Sequence, residues 1–196
     1  MTTATPEHPT IVSRDVAGRA GAQKGSRALK AIDVIRTALE ISDRAVVGLI
    51  EDMRDAPLTS PTPRGGNHPL WVLGHITYIE GNLPHILRGE PNPVAHWAPL
   101  FAPGSEPKTD ASAYPPFDEV LRTFRELRAR NLQLLEEIGE DGLDGATKSP
   151  PRGLEHVFTT VGNSFLIIAM HHMGHRGQVC DARRAAGRKP VFTPVM

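Results

Sequence analysis

Apolar residues recur at helical spacing in four stretches of this chain, and nowhere do they alternate convincingly as a half-buried strand requires. The first stretch runs from about Ala28 to Met53, with Ile32, Ile35, Leu39, Val46, Ile50 and Met53 on one face, and stops before Asp55-Ala56-Pro57. The second opens at Asn67-His68-Pro69. Asn67 or His68 supplies the cap there, and Pro69 stands in the first turn, where its missing N–H costs nothing. Trp71, His75, Tyr78, Ile79, Asn82 and Ile86 share its face. Pro84 removes the bond back to Glu80 and predicts a kink or an end, with Gly89 as a stop. The third stretch follows Pro115-Pro116, with Asp118 and Glu119 in its first turn. Asn131 interrupts its stripe of Phe117, Val120, Phe124, Leu127, Leu134 and Ile138. The fourth runs from about Thr160 to Ala186, with Arg183 and Arg184 in the last turn and Gly187 and Pro190 beyond.

Two longer connections separate these helices. Residues 90–116 are rich in Pro and Ala without a sustained period, a length typical of a lid or a crossover. Residues 139–159 are irregular, with Val157-Phe158-Thr159 as a short extended piece. The expectation is an all-α four-helix bundle with a long crossover connection. It occupies residues 28–190, between a flexible N-terminal tail (1–27) and a C-terminal tail (191–196). The N-terminal tail is small and polar, a composition that cannot bury enough apolar surface to order itself.

Charge and composition exclude several function classes. Lys plus Arg and Asp plus Glu each number 22, giving a formal net charge of zero, and aromatics make up 5%. Such a chain lacks both the basic surface and the stacking platform of a nucleic-acid binder. Its strongest apolar run, Phe165–Met170, is far too short to span a bilayer, and the N-terminus has no signal-peptide core. A cytoplasmic protein without membrane association is expected. Cys180 is the single cysteine, which excludes an intramolecular disulfide and a multi-cysteine zinc site.

Nine histidines are many for 196 residues. His75 sits on the apolar face of the second helix. His171-His172-Met173-Gly174-His175 lies on the inward stripe of the fourth. His171 and His175 are at i and i+4, and His172 and His175 at i and i+3. Either pair can converge on one metal, and spacing does not choose between them. A lone histidine on an apolar face is ordinarily a core residue with its ring N–H satisfied. Three imidazoles on inward faces of two helices would leave polar groups to satisfy unless they share an ion. Neutral imidazoles suit zinc, nickel or iron, and three of them leave a coordination position open for a reactant.

Leu73-Gly74-His75-Ile76, His171-x-x-x-His175-Arg176-Gly177-Gln178 and Arg184-Ala-Ala-Gly187-Arg-Lys-Pro190 together resemble the DinB/YfiT-like superfamily of metal-binding four-helix bundles. The resemblance covers about residues 28–190, leaving the tail and the Pro-rich segment near residue 100 outside the pattern. It implies His75, His171 and His175 as metal ligands, preferring His171 over His172. It further implies a divalent ion, zinc first with nickel or iron(II) as alternatives, and a homodimer. Known activities of the family are thiol-dependent transfer and isomerisation, and hydrolase activity is attributed to other members.

Around these ligands, Gln178 shares the face of His171 and His175 and can orient a ligand. His172 is either a base beside the site or a helix-interface residue. His68, seven residues before His75, either reaches the pocket mouth or caps the helix. Asn131 is a buried hydrogen-bonding residue or a pocket contact, Trp71 a wall one turn from His75, and Cys180 a packing residue. Zinc peptidases carry a Glu after the first His of their motif; here His172 stands there, and Glu80 lies off the face of His75. A thiol transferase needs such a base less than a hydrolase does. Three expectations follow: a metal-dependent enzyme activating a low-molecular-weight thiol toward an electrophilic small molecule, a metal-dependent hydrolase using water, or a non-catalytic metal-binding stress-response protein.

Overall fold

The computed structural model describes residues 28–60 and 66–189. The expected tails, 1–27 and 191–196, lie outside the described residues. Four long helices form an all-α bundle. Helix α1 spans Ala31–Ser42 and continues through a wide π turn, Asp43–Val47, into Gly48–Glu51. Helix α2 spans Pro69–Arg88, α3 Phe117–Ile138 and α4 Val161–Ala185. Among the described residues there is no strand; the piece expected at Val157–Thr159 is a turn, and a single bridge joins Ala146 to Thr160.

The side-chain contacts set the helix directions. Ile35 near the start of α1 meets Gly162 at the start of α4, and Arg183 near the end of α4 reaches the Leu49 carbonyl and Asp52 at the end of α1. These two helices are parallel. Helices α2 and α3 run together in the opposite sense, with Glu80 against Arg128 and Arg88 near Glu137. Two successive parallel helices need a connection that travels the length of the bundle. Residues 89–116 are that crossover.

The helix ends follow from local chemistry. His68 caps α2, its Nδ1 accepting the Trp71 N–H at 3.0 Å. Gly89 closes the helix in the left-handed region (φ 74°), where a side chain would be strained. Thr160 caps α4 through the Asn163 N–H. Helix α1 starts three residues later than its periodicity predicts. The Glu140 carboxylate, from the α3–α4 connection, accepts both the Ala31 and the Ile32 N–H at 2.9 Å and fixes the first turn there.

Pro84 does not end α2, which continues to Arg88. The Glu80 carbonyl that proline leaves without its helical donor accepts instead from Asn131 Nδ2 at 3.0 Å. A side chain on α3 thus repairs the break.

The core divides into two apolar clusters along the bundle axis. One gathers Trp71, Leu73, Ile76, Phe101, Phe124 and Val179; the other Leu39, Leu83, Leu135, Phe165 and Ile168. Between them, every helix contributes polar groups. Arg128 donates to Glu80 Oε1 at 2.8 Å, to the Leu39 carbonyl at 2.7 Å and to His172 Nδ1 at 2.9 Å. Asn131 donates to Glu80 Oε2 at 2.8 Å. Asp43, half-buried at the π turn, has its carboxyl pushed up by burial, partly offset by Arg128.

The crossover is packed rather than loose. It carries short turns at Ala95–Trp97 and Ala98–Phe101, and Val94, Trp97, Phe101 and Tyr114 are buried. Two glycines on α2 let it lie down. A Cβ at Gly74 would stand 2.1 Å from the Phe101 ring, and one at Gly81 would stand 2.4 Å from Asn92 Oδ1. The glycine preceding His75 is therefore required by close approach of the crossover.

Candidate metal centre

His75, one helical turn past Trp71 on α2, is buried, and its ring stacks on the indole at 4.6 Å between centroids and 10° between planes. The indole is itself held by its Nε1–H to Ser105 Oγ at 3.1 Å. His75 Nδ1 lies 2.7 Å from the Phe101 carbonyl oxygen. A carbonyl only accepts, so Nδ1 carries the proton and the Nε2 lone pair points into the bundle.

On α4, His171 and His175 face the same point one turn apart. His175 Nδ1 donates to Gln178 Oε1 at 2.9 Å, and that oxygen also accepts from Asn67 Nδ2 at 3.3 Å. The His175 Nε2 lone pair is thereby turned inward as well. His171 Nε2 stands 3.2 Å from Nε2 of His75 and 3.2 Å from Nε2 of His175. Its own Nδ1 is buried without a partner.

Hydrogen bonding alone does not satisfy this group. With His75 and His175 both presenting lone pairs, one N–H on His171 serves one of them and leaves the other facing a nitrogen. A cation satisfies all three at once. Nitrogens bound about 2.0–2.1 Å from a tetrahedral ion lie about 3.3 Å apart, close to the spacing found. One ring nitrogen from each of His75, His171 and His175 falls within 4.8 Å of the others, a spacing that could hold a metal ion. Burial pushes the His75 imidazole down to about 4, and burial with the neighbouring His175 and His75 does the same to His171. Both are neutral at pH 7, the form that ligates metal.

The triad opens on a cleft of about 600 Å³ between α2, α4, the crossover and the α3–α4 connection. Its size suits a small molecule. Among the described residues, no Asp, Glu, Lys or Arg lines it.

Other sequence-singled residues fall elsewhere. His172 is fully buried on the far side of α4, its Nδ1 accepting from Arg128. It is a helix-interface residue and not a base beside the site, because one residue along a helix turns the side chain by about 100°. His68 does not reach the cleft: Nδ1 caps α2 and Nε2 lies 2.9 Å from the Lys108 carbonyl. Asn131 belongs to the buried network. Cys180 packs against the apolar core. Gln178 does contact a ligand candidate. Sequence reasoning missed the Phe101 carbonyl and Asn67. The first is a main-chain atom with no side-chain signature; the only hint was the density of aromatics at Trp97, Phe101 and Tyr114 in a stretch otherwise read as loop. Asn67 had been read as a possible cap, a role His68 takes.

The family model described as the DinB superfamily matches residues 38–179. The chain belongs to the DinB superfamily. The matched span holds His75, His171, His175 and Gln178, and it runs across the crossover, which was expected to fall outside the family pattern. A search of curated proteins returns no match. Among the described residues, no helix of this DinB-superfamily chain is long and apolar enough to cross a membrane.

Proposed function

We propose that this DinB-superfamily chain is a metal-dependent enzyme in which His75, His171 and His175 hold one divalent ion. Zinc is the first choice, nickel and iron(II) the alternatives, and the reaction joins a low-molecular-weight thiol to an electrophilic small molecule. The observation that carries this reading is the meeting of three Nε2 atoms at the end of an open cleft. A divalent ion held there supplies a Lewis-acidic centre with an open position that lowers the pKa of a thiol.

The protein's own groups prepare that centre. The Phe101 carbonyl and Gln178 fix the ring tautomers and orientations. Trp71 covers one face of His75 and keeps water from it. The apolar walls lower the local dielectric and strengthen each electrostatic interaction within.

Thiol chemistry is favoured over hydrolysis because no carboxylate among the described residues lines the cleft to take a proton from water. Glu80, the buried carboxylate of α2, is turned instead to Arg128 and Asn131. The third reading, a non-catalytic metal-binding stress-response protein, predicts bound metal with no turnover of any electrophile, with or without thiol.

Elemental analysis of protein purified without a histidine tag tests the site. About one metal per chain is expected, with a large loss in His75→Ala and in His171→Ala and retention in His172→Ala. Equal metal in all of these refutes the assignment. Consumption of an electrophile that requires added thiol and stops on chelation supports the transferase reading; turnover without thiol replaces it with hydrolysis.

A further inference from the structure

The protein's surface is rich in ion pairs, and a second groove of about 300 Å³, on the α2–α3 side, is bordered by Arg88, Glu90, Arg130 and Glu137. The cleft at the histidines contrasts with it. On α2 its floor continues from His75 through Tyr78, Ile79 and Asn82 to Ile86. On the opposite side Ile168 of α4, with Leu154 and Phe158 of the α3–α4 connection, completes an apolar channel. Along the channel away from the histidines, an ionic group would lose hydration with no opposite charge to meet among the described lining residues, a cost of several kcal/mol that a neutral molecule avoids. An apolar chain gains on entry with every methylene buried.

Two polar side chains break the walls away from the histidines: Tyr78, with its hydroxyl, one turn past His75, and Asn82 one turn farther. Asn82 lies seven residues past His75, about 10 Å along the same helix face. Its amide is only half-buried and makes no hydrogen bond to any described residue, unlike Asn67, Asn92 and Asn131. An amide both donates and accepts, so it can pair with a neutral hydrogen-bonding group of either kind.

We propose that the cleft takes an uncharged, elongated small molecule: its reactive end lies at the three histidines, its apolar arm fills the channel, and Asn82 meets a neutral polar group about 10 Å away. This rests on the reading of the triad as the reacting centre, and deepens it by naming the substrate class.

Calorimetric titration of the full chain tests it, first without metal. Octanamide, suberamide (the same chain with an amide at both ends) and suberamic acid (one end a carboxylate) are the probes. Both neutral probes are expected to bind about tenfold or more tightly than suberamic acid. Leu154→Lys, at a wall position 44% exposed and so tolerant of change, is expected to reverse that preference. Asn82→Leu is expected to weaken suberamide about threefold or more while leaving octanamide nearly unchanged. Equal binding of neutral and carboxylate-tipped probes, or binding of none, overturns the proposal. Zinc-loaded protein is then titrated with acetohydroxamic and octanohydroxamic acids, which share a metal-seeking head. A gain of about threefold per added methylene supports the channel, and no gain overturns it. Failure to load zinc, with the neutral preference intact in the first titration, refutes the metal reading while the substrate class stands.

Discussion

His171 and His172 are adjacent residues of one helix with opposite fates. His171 points its Nε2 at two other imidazole nitrogens beside an open cleft, and its Nδ1 has no partner. His172 points the other way, into a sealed layer where Arg128 donates to its Nδ1 and Glu80 Oε1 stands 3.5 Å from its Nε2. Each ring keeps one nitrogen without a hydrogen bond, Nδ1 of His171 and Nε2 of His172, so the difference lies in the surroundings. The His171 cluster brings imidazole nitrogens together beside an open cleft, where an external partner can reach them. The layer around His172 is sealed in the core, where the Arg128–Glu80 pair holds the helices in register. The polar layer lies between the two apolar clusters and fixes the roll of α4, and that roll decides which histidine of the pair faces His75.

The comparison breaks most severely at Arg128. Arg128→Leu leaves the Glu80 carboxylate buried and uncompensated, and a loss of about 3–5 kcal/mol in urea unfolding is expected. His171→Ala in metal-free protein is expected to cost about 1 kcal/mol, since it gives up one imidazole–imidazole hydrogen bond and leaves no charge buried without a partner. Similar losses for the two would erase the distinction.

Acidification acts on the open cluster next. His75 and His171 keep pKa values of about 4 in the folded chain, against 6.5 when unfolded. As pH falls from about 6.5 toward 4, the unfolded chain takes up protons that the folded chain refuses, so metal-free stability falls over that window and is flat above it. Unfolding free energies from urea titrations at pH 7 and pH 5 should differ by about 2 kcal/mol for each of these two imidazoles, with His172, which burial also holds below its ordinary value, adding to the loss. A flat profile would mean that the two rings titrate like exposed ones.

Gly74→Ala sharpens the dependence of His75 on the crossover. The added methyl group would meet the Phe101 ring, and displacing that ring moves the carbonyl that sets the His75 tautomer. About 1–3 kcal/mol of stability and a measurable part of the zinc affinity should go together. The smallest effect expected is that of Gln178→Leu. It frees His175 Nδ1 without disturbing the core, and should weaken zinc about tenfold in a competition with a fluorescent chelator while the unfolding midpoint stays in place.

Much of this was legible before the structure. Helical periodicity and the Pro and Gly stops located four helices, and two parallel neighbours follow from a connection as long as residues 89–116. Spacing narrowed the cluster to His75, His175 and one of the adjacent pair His171 and His172, and only the family resemblance preferred His171. What was not legible depends on partners remote in sequence. The choice of His171 over His172 rests on the roll of α4, which Arg128 and Glu80 set from other helices. Pro84 broke its helix on paper, because the amide that repairs it belongs to Asn131. The start of α1 depended on Glu140, more than a hundred residues away. For His68 the count left cap and pocket mouth open, and the Trp71 N–H that its ring accepts decides for the cap.

The bond from His75 to the Phe101 carbonyl has a genetic consequence. The instruction that sets this imidazole comes from a main-chain oxygen, so exchanging the Phe101 side chain does not delete it. Drift in residues 90–116 is tolerable wherever it preserves the path of the segment over Gly74 and Gly81, and a single insertion that shifts that path by one residue would silence His75 without touching any histidine.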